Sequence, residues 1–124
     1  MNMASIMIID DDPLFAELTF QRLERVGHTV AVHPGTSDAL AAVRGGAFDV
    51  IVVDVHMPEL AGTRLAELIR EGGQGSPRVL LTSSMDSDEL SELAAQHGAD
   101  AWLSKSASSA ELLEVVGKLS GHGS

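Results

Sequence analysis

Short apolar runs and stretches of helical period alternate along the chain from one end to the other. Five runs rich in β-branched or large apolar residues predict strands at Ser5–Asp10 (SIMIID), His28–His33 (HTVAVH), Phe48–Asp54 (FDVIVVD), Arg78–Ser83 (RVLLTS) and Ala101–Ser104 (AWLS). The intervening segments space their apolar residues for helices. Phe15, Leu18, Leu23 and Val26 share one face of the first, Leu65, Leu68 and Ile69 one face of the third, and Leu90, Leu93, Ala94 and His97 one face of the fourth. Leu112, Val115, Val116 and Leu119 do the same in the last, while the second, around Ser37–Arg44, is weaker. Strands that are apolar without strict alternation belong to a sheet covered on both faces. Five strand–helix units in succession therefore predict a doubly wound α/β sandwich with a five-stranded parallel sheet.

The punctuation agrees with these boundaries. Asp12-Pro13 reads as a carboxylate cap followed by proline at the first helical position, and Ser37, Asp86 and Ser108 can cap later helices. Gly27, Gly45-Gly46, Gly72-Gly73 and Gly98 fall where helices should end in a left-handed residue. There is no internal repeat or interdomain linker. The expected organisation is one domain over 1–120, then a short flexible tail, Gly121 to Ser124, with no output domain.

Composition narrows the function classes. The 124 residues are 44% hydrophobic, enough for a real core, and 8 Lys and Arg face 18 Asp and Glu for a formal charge of −10. That charge, without a basic patch, argues against direct nucleic-acid binding. The absence of cysteine excludes disulfides, thiolate nucleophiles and cysteine-bound zinc. No apolar run approaches the ~18 residues a membrane span needs, and the start MNMASIMIIDDD lacks a basic signal-peptide region, so the expected location is cytoplasmic.

In an open parallel sheet, ligands bind beyond the carboxyl ends of the strands. Here those ends are polar: Asp10-Asp11-Asp12 after the first strand, Asp54 on the third, Thr82-Ser83-Ser84 on the fourth and Ser104-Lys105 on the fifth. Any one of these has an ordinary explanation as a turn, cap or surface charge, and Asp12 is best read as a cap. Their conjunction on one edge is what carries information. Carboxylates crowded together need a cation or raised pKa values, and an all-oxygen set suits Mg²⁺. A metal, a hydroxyl (Thr82) and a lysine (Lys105) around one carboxylate suit phosphoryl transfer, with Asp54 as the candidate nucleophile.

Along nearly all its length the chain resembles the receiver (CheY-like) domain of bacterial two-component response regulators. The resemblance rests on MIID with Asp10-Asp11, VIVVDVHMP with Asp54 and Met57-Pro58, the later Gly62, VLLTS with Thr82, and GADAWLSK with Lys105. It implies a flavodoxin-like strand order 2-1-3-4-5. It also implies Mg²⁺-dependent (or Mn²⁺-dependent) transfer of a phosphoryl group to Asp54 from a histidine kinase or phosphotransfer protein, then slow hydrolysis, with no other enzymatic turnover. Asp11 and Asp54 would hold the metal by side chain and His56 by its backbone carbonyl, with Asp10 acting through a water. Lys105 and Thr82 would bond the phosphoryl oxygens, and Thr82 with Trp102 would form the switch. His56 and Ser84 would flank the water path and tune the phosphate lifetime. The face of the fourth helix, fifth strand and fifth helix would shift to control a downstream protein, in a monomer or a weak dimer through that face.

Three residues depart from the family pattern. Ser106 follows Lys105 where most receivers have proline, so a trans peptide is expected there. Trp102 stands where Tyr or Phe is usual, and Ala61 precedes Gly62 where Asp is frequent. Ser106 and Trp102 keep a second reading open, a phosphorylation-independent interaction module. A third, a small metal-dependent phosphatase with an aspartyl-phosphate intermediate, lacks room for a substrate pocket. A dinucleotide site, a zinc site among His28, His33, His56, His97 and His122, and a GxSxG hydrolase are each unsupported by spacing.

Overall fold

The computed structural model of the chain describes residues 3–35, 38–57, 60–73 and 75–120. Its elements are β1 (Ser5–Ile9), α1 (Pro13–Arg25), β2 (Thr29–His33), α2 (Ala39–Gly45) and β3 (Val50–Asp54) in the first half. They continue with α3 (Gly62–Arg70), β4 (Arg78–Ser83), α4 (Ser87–His97), β5 (Ala101–Ser104) and α5 (Ser109–Ser120). The strands form one five-stranded sheet in the order β2-β1-β3-β4-β5, and every pairing is parallel. This is the expected flavodoxin-like sandwich. Strands β4 and β5 have the expected bounds, whereas β1, β2 and β3 are shorter because polar residues at their ends turn to other partners. Asp49, for example, accepts the Ser5 N–H at 2.8 Å through its side chain.

Successive strand residues face opposite sides of a sheet, and the core divides accordingly. Ile6, Ile8, Val50, Val52, Leu80 and Leu103 pack under α1 and α5. Met7, Ile9, Ile51, Val53, Val79 and Leu81 pack under α2, α3 and α4. The central strands feed both layers, which is why they read as continuous apolar runs.

One helix face differs from expectation. Helix α1 buries Ala16, Thr19 and Leu23, while Leu18 is 42% exposed, Leu14 is 69% exposed and Val26 is also exposed. Small residues let the helix lie close to the sheet, so the core stripe follows Ala16 and Thr19 and not the largest side chains. In α3, α4 and α5 the expected faces do hold the core, through Leu65 and Ile69, Leu90 and Ala94, and Leu112 and Val116.

The caps follow the sequence closely. Asp12 accepts from the N–H groups of Leu14 and Phe15 with Pro13 at the start of α1, and Asp86 accepts from Asp88. Ser108 and Glu111 form a reciprocal capping box at α5. Ser37 lies outside the described residues, as do Pro58 and the tail from Gly121. Gly27, Gly73 and Gly98 are left-handed as expected, but Gly45, Gly46 and Gly72 are not: the chain leaves α2 through an extended Gly46, and the left-handed residue there is Asp38 at the helix start. Among the described residues no helix is long and apolar enough to cross a membrane.

Two histidines are structural. His97 covers a helix face as expected, with its Nδ1 2.6 Å from Glu67 Oε2 to tie α4 to α3. The His97 hydrogen bond, then that of Arg64, holds the Glu67 carboxyl below its ordinary range. His28 is buried and its Nδ1 accepts the Ala4 N–H at 3.0 Å. Burial pushes its pKa below the ordinary value, and protonation would remove the acceptor. The unfolded chain then binds the proton more readily, so this contribution is complete above about pH 6.5 and is lost as pH falls through the lower folded value. Thermal melting midpoints should therefore drop between about pH 7.5 and about pH 5.5, with a shallower drop in His28→Asn. An unchanged profile in that variant would refute the assignment.

Candidate functional site

Strands β1 and β3 lie side by side, yet the helices that follow them, α1 and α3, pack on opposite faces of the sheet. The chain directions diverge there and leave a crevice at the carboxyl end, where ligands bind in open α/β sheets. The residues singled out in the sequence meet at this edge. Asp10 and Asp11 directly follow β1, Asp54 ends β3, Thr82 pairs in register with Asp54 across β3 and β4, and Lys105 follows β5.

Carboxylate oxygens of Asp10, Asp11 and Asp54 lie within 4.8 Å of one another. Asp10 and Asp54 are buried and Asp11 is exposed. The Lys105 ammonium bridges the buried pair, 2.9 Å from Asp10 Oδ2 and 3.2 Å from Asp54 Oδ2, and lies 4.7 Å from the centre of the Phe15 ring. Asp10 Oδ2 makes no aligned hydrogen bond and depends on this ion pair, while Oδ1 accepts the Asp12 N–H at 2.9 Å. Asp54 Oδ1 accepts the His56 N–H at 3.2 Å.

Burial raises the Asp10 pKa above the ordinary carboxylate value, against the opposing pull of the Asp12 N–H and Lys105. Burial alone would lower Lys105, but the close ion pair with Asp10, then that with Asp54, carries it above the ordinary lysine value. Asp10 is the more deeply buried of the pair, with 1% of its side chain exposed against 15% for Lys105. One ammonium faces three carboxylates, so the cluster carries an excess of negative charge that a divalent cation would relieve.

The remaining expectations are placed as follows. Asp12 turns outward as the α1 cap, and the described peptide bonds, including that before Ser106, are trans. The Thr82 hydroxyl donates to the Val53 carbonyl at 3.4 Å and is not directed at a carboxylate. His56 and Ser84 are exposed at the edge. Trp102 is 37% exposed on β5, paired in register with Leu81.

Three roles escaped the sequence reading, although the residues themselves were named. Phe15 flanks the Lys105 ammonium, Asp10 is its nearer carboxylate, and Gly62 presses against the backbone of Asp54. A Cβ at Gly62 would collide with the Asp54 carbonyl oxygen, and the Gly62 N–H donates to the Val55 carbonyl at 3.0 Å.

Hard, closely spaced carboxylate oxygens with a buried, poorly satisfied acceptor fit an oxygen-coordinated divalent cation of the Mg²⁺ kind.

Comparison with known proteins agrees with this geometry. Residues 6–117 match the response regulator receiver domain family. The chain is 36% identical over 121 residues to the sensor protein GacS of Pseudomonas syringae pv. syringae, which covers 94% of this chain and 13% of GacS. It is 31% identical over 119 residues to the transcriptional regulatory protein TcrA of Mycobacterium tuberculosis, covering 95% of this chain and 46% of TcrA. It spans less than half the length of such curated relatives. The receiver domain of the Francisella response regulator 1452 superposes with a TM-score of 0.87 at 27% identity, covering 98% of this chain and 99% of that one. The chemotaxis response regulator CheY4 of Vibrio cholerae gives 0.83 at 26%, covering 94% and 98%.

The chain belongs to the receiver domain family of two-component response regulators. Receiver domains bind Mg²⁺ at an acidic pocket and interact with histidine kinases and downstream effectors.

Proposed function

We propose that this chain, with residues 1–120 as its receiver unit, is a phosphorylatable signalling domain. Asp54 accepts a phosphoryl group from a histidine kinase or phosphotransfer protein in a Mg²⁺-dependent reaction. The face of α4, β5 and α5 then shifts to control a partner. The observation that carries this reading is the convergence of Asp10, Asp11, Asp54, Thr82 and Lys105 from four strand ends on one crevice.

Asp10, Asp11 and Asp54, with the His56 carbonyl, would hold the metal, Asp10 through a water. Bound Mg²⁺ supplies positive charge that offsets repulsion between the carboxylate and the phosphoryl oxygens. The protein's own groups do the rest. The His56 N–H and Lys105 fix the two Asp54 oxygens. As a carboxylate oxygen bonds phosphorus, the bond from phosphorus to the donor imidazole breaks and the imidazole leaves with the electron pair. Lys105 moves from carboxylate to phosphoryl oxygen, and the Thr82 hydroxyl rotates from the Val53 carbonyl to donate to another. A population shift follows because these contacts exist in only one state. Trp102 on β5 is the switch residue of the shifting face, whether the chain acts as a monomer or as a weak dimer through that face. His56 and Ser84, exposed beside the site, set how readily water hydrolyses the acyl phosphate.

Incubation with a small-molecule acyl phosphate and Mg²⁺, read by intact mass, should give one adduct per chain. Asp54→Asn and a chelated sample should give none. Absence of the adduct from folded, Mg²⁺-binding protein, or its persistence in Asp54→Asn, would overturn the reading. The exposed Trp102 and the commitment of the Thr82 hydroxyl to the Val53 carbonyl favour the second reading, an interaction module that works without phosphate. Sustained turnover of a free phosphomonoester would instead indicate a phosphatase.

A further inference from the structure

Lys105 reaches its carboxylates from a turn. Strand β5 ends at Ser104, the Lys105 N–H donates to the Ser83 carbonyl at 2.9 Å, and the Ala107 N–H donates back to the Ser104 carbonyl at 3.0 Å. Lys105 and Ser106 are thus the two corner residues of a hydrogen-bonded β-turn. Within it the Ser106 N–H donates to Ser104 Oγ at 3.2 Å, and the two serine hydroxyl oxygens lie 2.8 Å apart. A lysine stem is long and rotamer-rich, so where its ammonium can rest depends on how firmly its first bond is aimed. The far end is flanked by the Phe15 ring.

We propose that Ser104 and Ser106 form a hydroxyl clip that positions Lys105, holding the turn in the form from which one ammonium reaches both Asp10 and Asp54. Neither serine has a hydrogen bond to a carboxylate, so both are positioning residues acting through Lys105. Proline at 106 would have no N–H for Ser104 to accept, so the clip depends on the residue actually present. Ser106 is exposed and Ser104 half-buried, so water competes with the clip and its effect is graded. Only the effect on phosphoryl uptake rests on the function proposed above. The positioning itself does not.

The test uses Ser104→Ala, Ser106→Ala, the double variant and Ser106→Thr, with two readouts. The first needs no phosphate: nuclear Overhauser contacts between the Lys105 methylenes and the Phe15 ring. These should weaken in both alanine variants, weaken no further in the double variant and return in Ser106→Thr, while melting midpoints stay within about 2 °C of the parent. The second is the rate of uptake from an acyl phosphate with Mg²⁺, which should fall about fivefold in the alanine variants, the order of one net hydrogen bond, with Mg²⁺ affinity unchanged. Unaltered Overhauser contacts, additive losses in the double variant, or no rescue by threonine would overturn the clip. If the parent takes up no phosphate but the contacts respond as stated, the clip stands and the phosphoacceptor reading falls.

Discussion

Gly62→Ala is expected to lower the unfolding free energy by about 3 kcal/mol, through a collision with rigid backbone and strain on a hydrogen bond. The new Cβ would meet the Asp54 carbonyl oxygen and the Val55 Cα, and neither can rotate away as a side-chain tip could. Relief requires either that α3 withdraw its first turn, breaking the bond from Gly62 N–H to the Val55 carbonyl, or that the end of β3 give way. The second route displaces Asp54 itself. Loss of stability should therefore come with loss of phosphoryl uptake in whatever fraction remains folded. Gly117→Ala is the matching control, since it lies within α5 and a Cβ there meets nothing within 4 Å. It should gain about 0.5–1 kcal/mol from helix propensity. Urea unfolding of both would decide the matter, and a Gly62→Ala loss no larger than about 1 kcal/mol would show that the close approach is not rigid.

Removing the lysine should have the next largest effect. Lys105→Met leaves Asp10 buried without its counter-charge, and breaking a fully buried pair costs about 3–5 kcal/mol. Because the lysine side chain retains 15% exposure, about 2 kcal/mol is expected at neutral pH. The sign with pH follows from the direction of the Asp10 shift. Burial already raises its pKa, and without the ammonium it rises further, so the folded state binds a proton more tightly than the unfolded chain. The deficit is then largest above the folded pKa and shrinks as pH falls through it. Mg²⁺ should restore part of the loss by supplying the missing charge. A deficit that ignores both pH and Mg²⁺ would mean that only packing of the stem against Phe15 had been lost.

The fold was legible because a doubly covered parallel sheet writes itself as short unbroken apolar runs, each followed by a helical period. Asp10, Asp11, Asp54, Thr82 and Lys105 were legible for a related reason: each sits where a run ends, and all run ends of a parallel sheet share one edge. What the pattern could not hold was relative placement across the sheet. That Lys105 lies nearer Asp10 than Asp54 depends on β1 and β5, which have two strands between them. Phe15 looked like an ordinary core residue of α1 because its contact with Lys105 is a matter of helix rotation. The same rotation turned Leu14 and Leu18 outward, as small Ala16 and Thr19 settled on the sheet. Gly62 was visible as a motif residue, but its reason, contact with the Asp54 backbone, exists only once α3 is docked.

The chain has one tryptophan and no tyrosine. Near-ultraviolet emission excited at the red edge of protein absorption therefore comes from a single indole, that of Trp102 on the edge strand β5, three residues before Lys105. The molecule thus carries its own optical reporter on the strand that leads to the crevice. The proposed cation binding, phosphoryl uptake and partner docking could each be tested on unlabelled protein, and a quencher dissolved in the buffer reads directly how far that one ring stands in water.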